Sequence, residues 1–434
     1  MKVLHVITGL GAGGAEQQLR LLLRHLPPEY QCDVVALTNP GIVAAGLRAD
    51  GVRVGDLAMR GNRDLAALPR LARLIRREGY DVVHCHLYRA SVYGRIAARL
   101  AGVRAIVTTE HSLLAQTIEG RRITFGVRAL YLATERLGRC TVAVSRAVAE
   151  RLADWGVPEH RVRVIPNGVG AARYRQPAPV RAATRQAVRA ALGLPQDAFV
   201  FGGVGRLVPG KRFDILVDAL ALLPRTEGAP EVRLLLVGDG GERAALEQRA
   251  RAAGVADRVV FAGERDDVPE LLTAMDVLAA PSTVETFGLA LLEALAAGLP
   301  VRWSSGPALA ELPEGAAPGA RRTLARPSAY AAELQALRTG GPRRAGAPAQ
   351  PEAVRHYDMA RLALAVAELY QQVADHPAAP RPDTAETPTP PEPAPPKPTP
   401  PKPSPPKPSP PKPAPPRPSP RPIVSVPEET HGDH

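Results

Sequence analysis

Residues 1–25, MKVLHVITGLGAGGAEQQLRLLLRH, hold a β-branched run from Val3 to Thr8, glycines at 9, 11, 13 and 14, and an amphipathic run from Glu16 to His25. A short apolar strand, a glycine turn and a helix with leucines at helical spacing make one βα unit. The same unit recurs along the chain. Asp33 to Thr38 and Asp81 to His86 read as strands, followed by a helix from Ser91 to Leu100. Ala105 to Thr109 leads to a helix at Phe125 to Leu137, and Thr141 to Val144 is the next strand. Repetition of this kind predicts an α/β fold with a parallel sheet covered by helices.

A second series starts after the polar, Arg- and Pro-bearing stretch from Gly170 to Gln196. Its predicted strands are Phe199 to Val204, Val232 to Val237, Val259 to Ala262 and Val277 to Ala280, with helices at Phe213 to Leu222, Glu242 to Ala252, Val268 to Ala274 and Leu289 to Ala297. Two doubly wound, Rossmann-like domains are the simplest account. The expected boundaries are 1–170 for the first, 171–196 for a linker and the start of the second, and 197–355 for the second, with a helix in 356–376 and a proline-rich tail in 377–434. From Arg302 to Ala349 the pattern weakens, and only Tyr330 to Leu337 reads as an element. The last helix, Asp358 to Val373, has apolar residues at Met359, Leu362, Ala363, Val366 and Leu369 and must pack somewhere.

Of the 47 prolines, 25 lie from Pro377 onward, where Lys397, Lys402, Lys407, Lys412 and Arg417 recur every five residues. Such a Lys-Pro-x-Pro-Pro repeat is expected to form disordered polyproline II that cannot bury a core. Its P-x-x-P signals allow a docking partner. The net charge of +12 resides almost wholly in the body and favours anionic partners. Arg70, Arg73, Arg76 and Arg77 read as a solvated helix face, with contact to an anionic membrane surface as the sharper minority reading. No apolar run approaches the ~20 residues of a membrane span. Met1 leads directly into a strand, so a cytoplasmic protein is expected. Cys32, Cys85 and Cys140 fall in apolar strand runs and suit buried free thiols.

Gly9, Gly11 and Gly14 match G-x-G-x-x-G, yet the second strand ends in Leu37, Thr38 and Asn39 where a dinucleotide fold needs an acid for the ribose. The loop of Gly11, Gly13 and Gly14 can still bring backbone close to a phosphate or sugar at a helix N-terminus. His84 and His86, two apart on a strand, share a face but show no third metal ligand nearby, so no metal is expected. His111 stands at the end of a parallel strand, the edge where open α/β sheets bind ligands.

In the second half, Gly205-Arg206 ends a strand and Lys211 follows through Pro209-Gly210. A rigid turn presenting guanidinium and ammonium together suits a diphosphate. Glu285 and Glu293 flank the start of a helix at Thr286, Phe287, Gly288 and Leu289, whose free N–H groups suit phosphates. Eight helical residues rise about 12 Å, beyond the roughly 5 to 9.5 Å of a glycosidase carboxylate pair. The two glutamates are therefore expected at different ends of one long ligand, a nucleotide-sugar.

Together, Gly13-Gly14-Ala15-Glu16, Thr109-Glu110-His111, Ile165-Pro166-Asn167-Gly168-Val169, Gly205-Arg206-Leu207 with Lys211, Leu236-Val237-Gly238-Asp239-Gly240, and Glu285-Thr286-Phe287-Gly288-Leu289 with Glu293 resemble the group 1 retaining glycosyltransferases (glycosyltransferase family 4). The resemblance covers about residues 1–300. It implies a GT-B fold, with two Rossmann-like domains facing across a cleft and the last helix crossing back to the first. It also implies that Arg206 and Lys211 hold the donor diphosphate, Glu293 the ribose and Glu285 the sugar hydroxyls, with His111 lining the reaction centre. On this reading a hexosyl unit moves from a nucleoside-diphosphate sugar to an acceptor, with retention, without metal or other cofactor and without nucleic acid. The chain departs from the family pattern at Val301 to Pro307 and at Gly170. Two alternatives are a non-hydrolysing sugar-nucleotide epimerase, which shares the two-domain architecture but calls for more acid/base residues in the first domain, and a non-catalytic sugar-nucleotide-binding scaffold carrying the polyproline tail, against which Arg206, Lys211, Glu285 and Glu293 argue.

Overall fold

The computed structural model describes residues 1–225, 230–340 and 350–375; the Lys-Pro repeat lies outside them. Seven strands form the first sheet: β1 (Lys2–Ile7), β2 (Gln31–Ala36), β3 (Arg53–Asp56), β4 (Val82–His86), β5 (Ala105–Glu110), β6 (Cys140–Ala143) and β7 (Val162–Val164). They run parallel in the order β3-β2-β1-β4-β5-β6-β7. Six more form the second sheet: β8 (Phe199–Val204), β9 (Val232–Val237), β10 (Val259–Gly263), β11 (Val277–Ala280), β12 (Val301–Trp303) and β13 (Ala320–Arg322). Their order is β10-β9-β8-β11-β12-β13, again parallel. Both sheets lie within one compact unit.

Each sheet reverses its winding beside its first strand, at β1/β4 and at β8/β11. Strand order there leaves a crevice outside the carboxyl ends, where doubly wound folds bind ligands. The central strands are buried on both faces, as helix-covered parallel strands must be. Every residue of β4 is buried, and so are Phe199 to Gly203 of β8.

The stretch read as linker and start of the second domain contains a helix, Ala178–Ala191. Arg189, 0% exposed, reaches from it to Asp276 and to the carbonyls of Ala274 and Ala198. The arginine content that looks linker-like is therefore the device that fastens this helix to the second sheet. In the weak region the structure adds β12 and β13, and the element read at Tyr330 to Leu337 is a longer helix, Pro327–Thr339, in which the Tyr330 hydroxyl meets Ser304 Oγ and the Ala280 carbonyl.

Helix Met359–Asp375 lays Leu362, Ala363, Val366, Leu369 and Tyr370 against Val3, Val82, Val107 and Val142 of the first sheet. The backbone of Val169 brackets its start, donating to the Tyr357 carbonyl and accepting from Met359 N–H. Helix Ala67–Glu78 buries Leu71, Ala72 and Ile75 and leaves its four arginines exposed, a solvated face. The three cysteines are free, with Cys85 and Cys140 buried and Cys32 partly so. Among the described residues no helix is long and apolar enough to cross a membrane.

Candidate functional site

The carboxyl ends of the two sheets meet. From the first come the glycine loop after β1, His86 at the end of β4, and Glu110 and His111 at the end of β5. From the second come Gly205-Arg206 after β8 and the 281–289 segment after β11. Gly14 packs so closely on Leu289 that a Cβ would stand 3.3 Å from its Cδ1. Ser145 Oγ donates to the Thr286 carbonyl at 2.7 Å, and Ala12 N–H donates to Glu264 Oε1 at 2.9 Å. Thus a carboxylate, Glu264, occupies an N–H of the loop read as a phosphate cradle.

Gly205, at φ +144, follows β8 in a backbone conformation that L side chains rarely adopt. The close approach of the strand ends explains a second glycine: a Cβ on Gly238 would strike the Gly205 carbonyl. Arg206 emerges exposed from this turn and lies near Glu16. Lys211 folds back across Gly205, and its Nζ donates to Glu285 Oε1 at 2.6 Å.

Glu285 precedes the helix, which runs Leu289–Ala296 from Gly288 at φ +106. The 12 Å separation inferred for an unbroken helix therefore does not apply. Lys211 acts on both carboxylates, pairing with Glu285 and lowering the pKa of Glu293 against the larger upward effect of burial. The Tyr174 hydroxyl and the Arg173 charge lie beside Glu293 and both act to lower its pKa. Neither residue was legible as functional; both follow the Asn-Gly-Val motif by a few positions, which was their only signal. The Phe287 side chain is 2% exposed and packs edge-on against Tyr357, with ring centroids 5.1 Å apart, so it anchors the segment and offers a ligand only backbone.

On the first-domain side, His86 Nδ1 shares a hydrogen bond with His111 Nε2 at 3.3 Å, and His86 Nε2 shares one with His5 Nδ1 at 3.1 Å. Burial pushes His111 down to about 4 and His5 to about 3, and holds His84 and His86 well below the usual histidine range. All four rings are neutral at neutral pH. His5 supplies the third imidazole missing beside His84 and His86; the three offer nitrogens within 4.8 Å of one another. Among the described residues His111 shares no hydrogen bond with Lys211 or Glu285.

Glu110, 0% exposed, has its carboxyl pushed up to about 7 by burial. Ser112 donates to Oε1 through both N–H and Oγ, at 3.0 and 3.3 Å. Between about pH 4.5 and 7 the folded protein keeps this proton while the unfolded chain has released it, so stability falls as pH rises through that window and levels above it. The expected loss is on the order of 3 kcal/mol. Urea unfolding at pH 5 and pH 8 should show that much more pH dependence in the wild type than in Glu110→Gln; equal dependence would refute it.

A separate cavity of about 530 Å³, lined in part by Ile75, Tyr80, Arg104 and Val373, lies at the amino-terminal edge of the first sheet. Ligands of doubly wound folds bind at the opposite edge.

Two parallel doubly wound sheets whose carboxyl ends converge on a paired lysine and glutamate define a two-domain GT-B fold. A Glycosyltransferase Family 4 model matches residues 12–173 and a Glycosyl transferases group 1 model matches residues 184–326. The chain belongs to these glycosyltransferases, as the motif resemblance implied. Over 240 residues it is 30% identical to the Escherichia coli UDP-Gal:alpha-D-GlcNAc-diphosphoundecaprenol alpha-1,3-galactosyltransferase, covering 55% of this chain and 61% of that one. A 2-deoxystreptamine glucosyltransferase of Streptomyces kanamyceticus is 33% identical over 247 residues, 54% of this chain and 62% of the relative. The chain thus spans about three fifths of the length of these relatives. The crystal structure of Anabaena Alr3699/HepE in complex with UDP-glucose superposes with a TM-score of 0.72 at 24% identity, covering 86% of this chain and all of that one, and shows the shared fold.

Proposed function

We propose that the protein transfers a hexosyl unit, with retention, from a nucleoside-diphosphate sugar to a hydroxyl of an acceptor. The observation that carries this reading is the Lys211–Glu285 pair at 2.6 Å beside exposed Arg206, opposite the glycine loop. A donor diphosphate would take Lys211 and Arg206 as its cations. Glu285, released from Lys211, would then accept hydrogen bonds from sugar hydroxyls. Negative charge grows on the diphosphate as the glycosidic bond breaks, and fixed cations stabilise that charge more than they stabilise the bound donor. The reading includes independence from divalent metal and a cytoplasmic place of action. The relatives named for UDP-Gal and for glucosyl transfer make UDP-hexoses the first donors to try.

A panel of UDP-, GDP- and ADP-sugars should contain one that raises the melting temperature, since a ligand bound only to the folded state stabilises it. That donor should be consumed with a suitable acceptor, and EDTA should leave the rate nearly intact. A loss of about a hundredfold restored by Mg²⁺ or Mn²⁺ would overturn metal independence. A donor that raises the melting temperature but is consumed with no acceptor would favour the sugar-nucleotide-binding scaffold, and no shift with any donor would overturn the nucleotide-sugar reading.

The two glutamates should separate kinetically. Glu285→Ala is expected to harm turnover while sparing affinity for the free nucleoside diphosphate, which lacks the sugar. Glu293→Ala should weaken nucleoside diphosphate binding itself, because Glu293 and Tyr174 form the second-sheet end of the site. Calorimetric titration with UDP checks both, and the reverse pattern would assign the donor the opposite direction.

A further inference from the structure

His111 is reached from behind by a file of imidazoles that the proposed transfer does not itself require. His5 on β1 lies opposite His84 on β4 in the sheet register, and His86 follows two residues later on the same face. The His5 and His86 rings stack with centroids 5.4 Å apart, and those of His86 and His111 lie 5.6 Å apart. Two hydrogen bonds join them in series, His5 Nδ1 to His86 Nε2 and His86 Nδ1 to His111 Nε2. The two nitrogens left over at the ends, His5 Nε2 and His111 Nδ1, are buried without a partner.

His84 stands beside the file and outside it. Its Nδ1 meets the Tyr370 hydroxyl at 2.6 Å and its Nε2 meets Thr109 Oγ1 at 2.7 Å, so both nitrogens are satisfied by hydroxyls. The three clustered histidines therefore do not make a free ligand set for a metal. Five of their six nitrogens are already spent on hydrogen bonds, which leaves His5 Nε2 alone.

Three neutral rings in series carry one proton each, and each shared bond needs one donor and one acceptor. Only two arrangements satisfy this. Either every ring is protonated at Nδ1 and the file donates toward His111, or every ring is protonated at Nε2 and donates toward His5. Each leaves one buried N–H without a partner in the empty protein, and orphaned buried N–H groups are rare. In the second arrangement that group is His5 Nε2, in a residue 0% exposed, whereas in the first it is His111 Nδ1, in a residue that is partly exposed at the strand edge, the end at which a bound ligand can bring the missing acceptor.

We propose that His5 and His86 are positioning residues that lock His111 in the Nδ1–H tautomer, so that it presents a hydrogen-bond donor to an oxygen of the bound sugar nucleotide. The idea deepens the transferase reading, on which the role of His111 rests. No proton moves in the lock; the file sets which nitrogen of His111 bears its hydrogen.

The test uses full-length protein labelled with ¹⁵N-histidine and long-range ¹H–¹⁵N correlation spectra. In the wild type, His111 should show a protonated Nδ1 and an unprotonated Nε2 from about pH 5 to 8. A protonated Nε2 on His111 would overturn the proposal with no variant needed. His5→Leu touches neither His111 nor the cleft, yet should give His111 a mixed tautomer and lower kcat roughly tenfold or more, with UDP affinity unchanged. His5→Asn restores a donor near the place of Nδ1 and should recover both signals. An unchanged His111 spectrum in folded His5→Leu would refute the lock, and so would broadening of His5, His84 and His86 together on adding Co²⁺. If no donor were turned over, the transferase reading would fall while the wild-type spectrum still decided the tautomer.

Discussion

Truncating Arg206 or Lys211 to alanine is expected to lower kcat by about a hundredfold to a thousandfold, the cost of removing one well-placed donor at developing negative charge. The structure sharpens how the two should differ. Arg206 is exposed and free to swing onto a ligand, so Arg206→Ala should leave the empty protein as stable as the wild type. Lys211 is the counter-ion of Glu285 at 2.6 Å and also lies near half-buried Glu293. Lys211→Ala leaves two carboxylates in the place of a diphosphate, and should raise KM as well as lower kcat. Arg206→Lys should rescue only in part, because an ammonium cannot reproduce a bidentate grip. Steady-state kinetics on folded variants checks this, and near wild-type kcat in both alanine variants would remove the mechanism.

The second large effect is on stability. Asp276 accepts Arg185 Nη2 at 2.8 Å through Oδ1, and Arg189 Nη2 at 3.1 Å and Val200 N–H at 2.8 Å through Oδ2. Its side chain is 2% exposed and that of Arg189 0%. Asp276→Ala would leave the buried Arg189 guanidinium without this counter-ion beside Arg185, a loss of the kind that costs about 3 to 5 kcal/mol. Equilibrium denaturation should show the whole of it, with helix Ala178–Ala191 opening first in hydrogen exchange. A loss under about 1 kcal/mol would mean that the surrounding carbonyls, those of Ala274, Pro195, Gln196 and Ala198 among them, hold Arg189 without Asp276.

Much of the fold was legible because parallel strands write themselves into the sequence as continuous apolar runs. Val3 to Thr8, Asp81 to His86 and Phe199 to Val204 coincide with β1, β4 and β8 to within a residue. Edge elements were harder. β3 reads Arg-Val-Gly-Asp and β13 Ala-Arg-Arg, short and polar because one side faces solvent. Helix Ala178–Ala191 hid for a related reason: its arginines bind carbonyls and an aspartate distant in the chain, so its buried face is not apolar.

The sequence by itself determined two doubly wound halves and the short-range chemistry: the Pro-Gly turn between Arg206 and Lys211, the glycine loop before its helix, and His111 at a strand end. Those depend on neighbours within a few residues, where backbone geometry alone sets the spacing. Only the tertiary structure decided that Lys211 meets Glu285, that Glu264 fills the glycine loop, and that His5 stands behind His86. These pairs lie 74, 252 and 81 residues apart. Their contact follows from strand register and from the meeting of two sheets, both set by summed core packing, of which no local stretch carries a record.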